Sequence, residues 1–292
     1  MTRSIGIWLR AGLGNQLFML FATVSYAIDN NLKYIIYAWQ DKVIGNRQAY
    51  WDNFLECFKD NVMVYQSAVM MYQEPEFHYV KIPAELTKSN FVLDGYFQSP
   101  KYFEHNFDKL SDMIGLRQKI ADVKAKYQPI IDFNAGRYIA LHFRMDDYIP
   151  LQNNHPIQQP DYYIKALKEL AKDLASTDDN INNYNILYFC QQSDDKFALE
   201  YLQIIKDHLD QVSEFNGMFI KVPHYVEDWE QMLMMSCCDH FVIANSTFSW
   251  FGAYFCDKPD KKVYWPAKWF GPSLAHKKTH DLCPADWKKI EV

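Results

Sequence analysis

The sequence has little that would anchor the protein in a membrane or cross-link it through metal or disulfides. No stretch reaches the roughly 18 uninterrupted apolar residues that a membrane-spanning helix needs, and Arg10 interrupts the short apolar run near the start. The six cysteines form no C-x-x-C pair and no zinc-ligand spacing, which predicts reduced and mostly buried thiols. We therefore expect a cytoplasmic protein, and peripheral membrane association stays open.

Positive charge is not in excess either. The 30 Lys and Arg are outnumbered by 36 Asp and Glu, which gives a formal net charge of -6. Such a chain has no general attraction for nucleic acid, and no protein partner is indicated. With 49% hydrophobic and 23% charged residues over 292 positions, the composition predicts a folded protein of two lobes or one large α/β unit.

Strand and helix patterns alternate in the first part of the chain. Ile5–Leu9 is an apolar strand pattern that ends at a glycine-containing turn, and Asn15–Ala27 follows with helical apolar spacing. The run KYIIYA at 33–38 supplies the next strand, which predicts a βαβ unit with parallel strands. Phe91–Asp94 is another predicted strand, whereas residues from about 40 to 90 show no readable pattern.

A second alternation follows the charged helix predicted over Leu116–Tyr127. Strands are predicted over Tyr138–His142, Asn185–Cys190, Met218–Val222 and His240–Ala244, and helices over Asp161–Leu174, Asp194–Leu209 and Asp228–Met235. Regular alternation predicts parallel sheets covered by helices. The expected lobes are 1–130 and 131–292, with the C-terminal tail packing back on the first lobe.

Ligands of open α/β sheets bind beyond the carboxyl ends of strands, so the residues after each strand are the candidate site. After the first strand, Gly12 and Gly14 let the backbone approach a ligand, and Asn15 and Gln16 open a helix whose N–H groups suit phosphate or sugar oxygens. A tight turn without a ligand is the alternative. Leu17 stands where a G-x-G-x-x-G fingerprint needs glycine, which argues against a nicotinamide-dependent oxidoreductase.

The segment His142-Phe143-Arg144-Met145-Asp146-Asp147-Tyr148 follows a second strand. An arginine leaving a buried strand suits a diphosphate, because its planar fork donates two charge-assisted hydrogen bonds. Asp147 would orient that fork. A structural Arg–Asp pair beside a core histidine is the alternative reading.

Two further strand ends carry polar side chains. Asp194 and Asp195 could accept from ribose or guanine, bind a divalent cation, or, with Ser193, cap the helix that follows. The small hydroxyl residues after Asn245 could bind phosphate without a metal, or equally form an N-cap.

Five segments stand in a characteristic order: GLGNQLF at 12–18, LDGYFQSPKYF at 93–103, HFRMDDY at 142–148, QSDD at 192–195 and NSTFSWFGA at 245–253. In these segments the sequence resembles the α-1,2-fucosyltransferase family, glycosyltransferase family 11, over nearly its whole length. The last segment is the most specific of the five.

The resemblance implies a GT-B architecture, in which two Rossmann-like lobes with parallel sheets face a central cleft and the nucleotide lies mainly on the C-terminal lobe. It implies inverting, metal-independent transfer of L-fucose from GDP-β-L-fucose to a glycan acceptor, typically at the 2-hydroxyl of galactose. The implied partners are therefore the GDP-sugar donor and the acceptor, with no other cofactor. Peripheral membrane association is expected if the acceptor is lipid-linked.

The resemblance also implies roles for individual residues. Arg144 matches the arginine regarded as essential, and with Ser246, Thr247 and backbone N–H groups it would neutralise the departing GDP. Asp94, Asp147 and His142 are unranked candidates for the base. The predicted catalytic residues are Arg144, His142, Asp147 and Asn15; the predicted donor-binding residues are Gly12, Gly14, Asn15, Gln16, Arg144, Asp194, Asp195, Asn245, Ser246, Thr247 and Ser249.

Some positions depart from the family pattern. The family usually has a second arginine where Met145 stands, two glycines where Ala11-Gly12 stand, and a second Trp where Phe251 stands. The departure at Met145 permits transfer of another GDP-linked sugar. Two further alternatives stay open: an inactive GDP- or carbohydrate-binding homologue, and a metal-dependent transferase that uses the Asp pairs at 146–147 and 194–195.

Overall fold

The structure is a computed structural model that describes residues 3–38, 42–45, 47–64, 70–213 and 215–292. The chain divides into two compact units, one of residues 1–118 with 277–284 and one of residues 119–276 with 285–292. The sequence predicts a division at 130/131, whereas the units divide inside the helix Leu116–Tyr127. The end of that helix belongs to the second unit because Lys126 and Tyr127 both donate hydrogen bonds to Glu230, at 2.6 and 2.7 Å.

The first unit contains a five-stranded sheet in which every neighbouring pair is parallel, in the order β5-β2-β1-β7-β6. A separate antiparallel pair is formed by β3 and β4. The elements are β1 (Ser4–Trp8), α1 (Leu13–Asn30), β2 (Lys33–Tyr37), β3 (Lys42–Val43), β4 (Arg47–Gln48), β5 (Val62–Met63), β6 (Met70–Gln73), β7 (Phe91–Asp94), α2 (Phe107–Met113) and α3 (Leu116–Tyr127), which crosses the division.

Helix α1 is buried on most of its surface, which explains its apolar sequence. Residues Leu17–Ser25 are all buried, including Phe18 and Phe21, whose rings pack edge to face against Phe103. The helix ends at Asn31, which adopts the left-handed conformation and caps two carbonyls with its N–H group.

The second unit contains a six-stranded sheet, again with every neighbouring pair parallel, in the order β10-β9-β8-β11-β12-β13. Counted along the unit this order is 3-2-1-4-5-6, the Rossmann order. The elements are β8 (Tyr138–His142), α4 (Pro160–Ala175), β9 (Asn185–Phe189), α5 (Asp195–Ser213), β10 (Phe219–Lys221), α6 (Asp228–Ser236), β11 (His240–Val242), α7 (Thr247–Tyr254), β12 (Val263–Pro266) and β13 (Lys288–Ile290).

The predicted apolar face of α4 is buried in the core of this unit. Leu167 and Leu170 have no exposed surface, Ile164 and Leu174 are buried, and Ala171 packs against the same core. The predicted α/β class with two parallel sheets is therefore confirmed. None of the helices in the described ranges is long and apolar enough to cross a membrane.

Each sheet has one switch point, where the chain stops adding strands on one side and continues on the other. It lies between β1 and β7 in the first unit and between β8 and β11 in the second. Ligands of open α/β sheets bind in the crevice beyond the carboxyl ends of such strands. The two switch points therefore define where each unit's candidate site residues should be sought.

Candidate active site

Arg144 is the first charged side chain beyond the fully buried strand β8. Its guanidinium donates to the Asp147 carboxylate and lies over the Tyr148 ring, with Cζ 5.6 Å from the ring centroid. Nε of Arg144 and Oδ1 of Asp147 are buried and have no hydrogen-bond partner among the described residues. The guanidinium is thus oriented by Asp147, and because the Arg144 side chain stays 19% exposed, its outer N–H groups can reach an anion.

Tyr148 connects this arginine to the other side of the switch point. Its hydroxyl donates to the backbone oxygen of Asn245 at 3.1 Å, and burial, with the nearby Asp147 charge, raises the pKa of Tyr148 to about 12. Asn245 is itself buried, and its Nδ2 donates to the backbone oxygens of Pro156 (2.9 Å) and Trp269 (3.2 Å). The side chain of Asn245 therefore fixes loops around the strand end.

The hydroxyl residues after β11 differ in how they face solvent. Ser246 is the N-cap of α7, since its side chain accepts from the Phe248 N–H group at 3.4 Å, and Thr247 is the half-buried first residue of the helix. Ser249 has no exposed surface, and its hydroxyl donates to the Ser246 backbone oxygen at 3.2 Å. The prediction that Ser249 binds the donor is therefore not supported, because its hydroxyl is used inside the helix.

Asp194 is buried in the structure and bonded within the fold. Its side chain has no exposed surface and accepts from the backbone N–H groups of Asp146 (2.6 Å) and Gln191 (3.4 Å), the latter as part of a capping box. Burial raises the pKa of Asp194, although these N–H groups favour its charged form. The carboxylate joins the turns after β8 and β9 and has no surface with which to contact a nucleotide.

Asp195 remains partly exposed but has local partners. Its carboxylate accepts from Lys221 at 2.6 Å and contacts His224 Nε2 at 2.9 Å. Burial opposes its ionisation, yet the hydrogen bonds from Lys221 and His224 hold the pKa of Asp195 below its usual range. Any ribose or guanine contact by Asp195 would compete with these two partners.

His142 does not suit the role of base. The residue is 4% exposed, its ring lies against Phe248 with centroids 5.6 Å apart, and Nδ1 has no hydrogen-bond partner in the described part of the chain. Burial, helped by the positive charge of Arg144, lowers the pKa of His142 to about 3. The imidazole is thus neutral, weakly basic and shielded from an acceptor.

The first unit carries a second Arg–Asp pair at its own switch point. Arg10, just beyond β1, donates to the Asp94 carboxylate at the end of β7, and its Cζ lies 5.7 Å from the centroid of the Tyr96 ring. Nε of Arg10 is buried without a hydrogen-bond partner among the described residues. Sequence reasoning included Asp94 but missed Arg10, although it follows a strand as Arg144 does.

Glu74, immediately after β6, was missed because that short strand was not predicted. Its carboxylate accepts from the N–H groups of Tyr96 (2.8 Å) and Phe97 (2.9 Å), so the turn after β7 is built around it. Burial raises the pKa of Glu74 to about 7 despite these hydrogen bonds. A carboxyl that titrates near neutral pH thus supports the turn that follows Asp94.

The glycine turn itself divides into exposed and buried residues. Gly12 is exposed with no heavy atom within 4 Å of an added Cβ, whereas Gly14 is buried in the first turn of α1. Asn15 is half-buried and accepts from Gln98 Nε2 at 2.5 Å. This hydrogen bond joins the segments GLGNQLF and LDGYFQSPKYF.

Gln16 has no exposed surface, contrary to its predicted contact with sugar. Its Nε2 donates to the backbone oxygens of Ala11 (3.0 Å) and Gln48 (2.9 Å), which ties the turn after β1 to β4. The Nε2 group of Gln16 therefore shapes the turn, while its Oε1 is buried without a hydrogen-bond partner among the described residues.

The five sequence segments thus come together in two groups. Two meet at the switch point of the first sheet through Asn15 and Gln98, and three meet at that of the second through Asp146, Asp194, Tyr148 and Asn245. In the described ranges, no three His, Cys, Asp or Glu side chains are grouped so that they could hold a metal ion.

A cavity of about 840 Å³ lies at the opposite edge of the second sheet. Its lining includes Arg137, which pairs with Asp179 at 2.7 Å, and Tyr184, whose hydroxyl donates to the same carboxylate at 2.6 Å. These charged and polar groups bond to one another, and none of the five segments lines the cavity.

The chain is similar to known glycosyltransferases in sequence. The model of the family described as glycosyl transferase family 11 matches residues 40–290, which include every segment except GLGNQLF. The chain is 26% identical over 208 residues to the Escherichia coli O-antigen biosynthesis glycosyltransferase WbnK, and 24% identical over 200 residues to an Escherichia coli alpha-1,2-colitosyltransferase. These alignments cover 66% and 68% of this chain but only 60% and 61% of the relatives' own lengths.

A similar fold is found in a solved structure of a mutant of Arabidopsis thaliana FUT1 in complex with GDP. The two chains share 10% sequence identity and a TM-score of 0.50, over 99% of this chain and 76% of that one. This likeness concerns the fold alone. Since the family model matches most of its length, the chain belongs to glycosyltransferase family 11.

Proposed function

We propose that this protein transfers L-fucose from GDP-β-L-fucose to a hydroxyl of a glycan acceptor, with inversion at the anomeric carbon and without a metal ion. The 2-hydroxyl of a terminal galactose is the proposed position. Family membership supports sugar transfer in general. The donor, the acceptor and the stereochemistry are the proposal.

One observation carries the donor side of this proposal: the oriented guanidinium of Arg144 at the switch point of the second sheet. Arg144 is held on one side by Asp147 and lies in the same unit as the N-terminus of α7. A diphosphate needs donors that neutralise the charge growing on the leaving group, and the oriented, partly exposed guanidinium of Arg144 can supply them. Arg144 would thus do the work that a divalent cation does in metal-dependent transferases.

The helix N-terminus adds a second source of positive potential. The positive end of the helix dipole at the start of α7, near Ser246 and Thr247, attracts phosphate oxygens through partial charges that need no counter-ion. Asp195 is the remaining carboxylate for a ribose or guanine contact, since Asp194 is buried.

A different GDP-linked deoxysugar is the second candidate donor. One relative is named for the transfer of colitose, and Met145, where the family usually has an arginine, is buried in the core. Arg144 is then the only Lys or Arg in the segment 142–148, which leaves the sugar-side contacts of this chain different from those of a protein with two arginines.

The test is an assay of GDP release and sugar transfer with GDP-fucose, and with GDP-colitose in parallel, across galactose-terminated acceptors. NMR of the product would give the linkage and the anomeric configuration, and an arm with excess EDTA would test metal independence. We expect an α-1,2 product whose rate survives EDTA. If GDP raises the melting temperature but no donor is hydrolysed or transferred, the protein is a binding homologue and the proposal is wrong.

A further inference from the structure

We propose that Asp94 is the base that takes the proton from the attacking acceptor hydroxyl, and that Arg10 is the positioning residue that holds it. This inference rests on the proposed sugar transfer. It assigns a catalytic task to the switch point of the first sheet.

The position of Asp94 favours a ligand-facing role. It is the last residue of β7, next to the strand β1 at which the sheet order reverses, so it lies at the carboxyl edge where α/β units bind ligands. Its side chain is 26% exposed. Arg10 holds Oδ1, and no described group donates a hydrogen bond to Oδ2. One oxygen is thus anchored and the other is available to a hydroxyl.

The other candidate bases lack an available oxygen or nitrogen. His142 is buried and weakly basic. Asp147 has Oδ1 buried and Oδ2 occupied by Arg144. Glu74 lies beside Asp94, but its two oxygens accept the N–H groups of the turn after β7.

The surroundings of Asp94 keep its carboxylate in one place. Arg10 lies between Asp94 and the Tyr96 ring, which limits the positions open to the guanidinium. The turn itself closes tightly on Glu74, because a Cβ on Gly95 would lie 2.3 Å from the Glu74 Cβ. Glycine at position 95 therefore allows the backbone of the turn to wrap around Glu74 directly after Asp94.

The proposed step balances without a further reactant. The acceptor oxygen forms a bond to the anomeric carbon of the donor sugar, and the bond from that carbon to the diphosphate oxygen breaks. The electron pair of that bond leaves with GDP, and the hydroxyl proton moves to Oδ2 of Asp94. The resulting carboxylic acid later returns the proton to water.

Asp94→Asn is the main test, because it preserves shape and can still bond to Arg10. With any GDP-sugar that the wild type transfers, we expect kcat toward a hydroxyl acceptor to fall about 100- to 10,000-fold, with unchanged GDP binding and melting temperature. Azide carries no proton, so azide-dependent GDP release should persist in the variant. Asp94→Glu should restore part of the activity, and Arg10→Met should lower kcat more than it changes KM for the donor.

Asp29→Asn is the matched control, since Asp29 is also a hydrogen-bonded carboxylate of the first unit, paired with His105 and Asn106 away from this edge. It should leave kcat near the wild-type value. The inference is overturned if Asp94→Asn transfers to hydroxyl acceptors within about tenfold of the wild type, or if its azide-dependent reaction falls as far as its transfer. A wild type that transfers no sugar would instead refute the proposed function.

Discussion

Arg144 donates a hydrogen bond to Asp147, three residues further along the chain, and both side chains keep a buried polar atom without a partner among the described residues. A second guanidinium, that of Arg10, bonds to Asp94 at the other switch point. Each pair is accompanied by a tyrosine ring within 6 Å of the guanidinium carbon. The two units thus present the same kind of polar group at the edge where ligands of this fold class bind.

The first prediction concerns Arg144. Arg144→Ala should lower kcat/KM for transfer about 100- to 1,000-fold, because a preorganised charge that stabilises the leaving group is lost. The melting temperature should change little, since Arg144 lies at a strand end and not in the core. Steady-state kinetics and GDP titration would measure the loss.

Arg137→Ala is the control for this variant. Arg137 also pairs with an aspartate, Asp179, and lies 4.1 Å from the centroid of the Tyr184 ring, but at the opposite edge of the same sheet. The Arg137→Ala variant should have a lower free energy of unfolding than the wild type and an unchanged affinity for GDP. Equal loss of GDP affinity in both variants would show that Arg144 has no special role.

The second prediction concerns the N-cap of α7. Ser246→Ala should lower the free energy of unfolding by about 1 kcal/mol, because the Phe248 N–H group loses its acceptor. Ser246→Gly should cost only a few tenths of that amount. If Ser246 also binds phosphate, both variants should weaken GDP binding to the same extent. Urea unfolding would measure the change in stability, and calorimetry would measure the change in GDP affinity. Unchanged GDP affinity in both would remove Ser246 from the donor site.

Much of the strand and helix order could be predicted, because apolar runs and 3.6-residue spacing recur along the chain. The predicted bounds of Phe91–Asp94, Leu116–Tyr127 and Tyr138–His142 are those observed. The strands β3 to β6 were missed because they lie in the stretch from about 40 to 90 that shows no readable pattern, and the last two strands were missed as well.

The site was harder to predict because sequence gives the end of a strand but not the direction of each side chain. Asp194 and Asp195 are neighbours, yet one is fully buried and the other partly exposed. Gln16 and Ser249 likewise belong to the characteristic segments, but the Gln16 Nε2 group and the Ser249 hydroxyl donate to backbone oxygens within the fold. Glu74 was invisible because the strand that carries it was not recognised.

The third prediction concerns His142 and acid. The folded protein lowers the pKa of His142 from its ordinary value of 6.5 to about 3, mainly by burial. Its contribution to stability is therefore complete above pH 6.5 and is lost as the pH falls toward 3, with a slope of at most about 1.4 kcal/mol per pH unit. His142→Gln should remove this slope in urea unfolding measured from pH 7 to pH 4.

His240 offers a matched comparison, since burial lowers its pKa to about 4. It lies at the start of β11, away from the candidate site, and its Nε2 is 2.9 Å from the Tyr184 hydroxyl. A variant at His142 should leave the slope due to His240 in place. If His142→Gln leaves the acid dependence unchanged, the imidazole is not held neutral as the structure indicates.

The fourth prediction concerns Glu74, whose contribution to stability changes with pH in the direction opposite to that of His142. Burial raises its pKa from 4.5 to about 7, so the folded state binds the proton more tightly than the unfolded state. The stability that this carboxyl contributes is therefore complete below pH 4.5 and is lost as the pH rises through about 7. Glu74→Gln should lose a hydrogen bond to the turn at all pH values. Because the amide does not titrate, the stability of this variant should not show the decrease that Glu74 causes near pH 7.

The measurement is the difference in free energy of unfolding between Glu74→Gln and wild type from pH 4.5 to pH 8. The difference should shift in favour of the variant by at most about 1.4 kcal/mol per pH unit across that window. Hydrogen exchange at the Tyr96 and Phe97 amides should report the same titration, because the ionised carboxylate is the better acceptor for both N–H groups. A constant difference would mean that Glu74 titrates as in the unfolded chain, and the turn after Asp94 would then not respond to pH near neutrality.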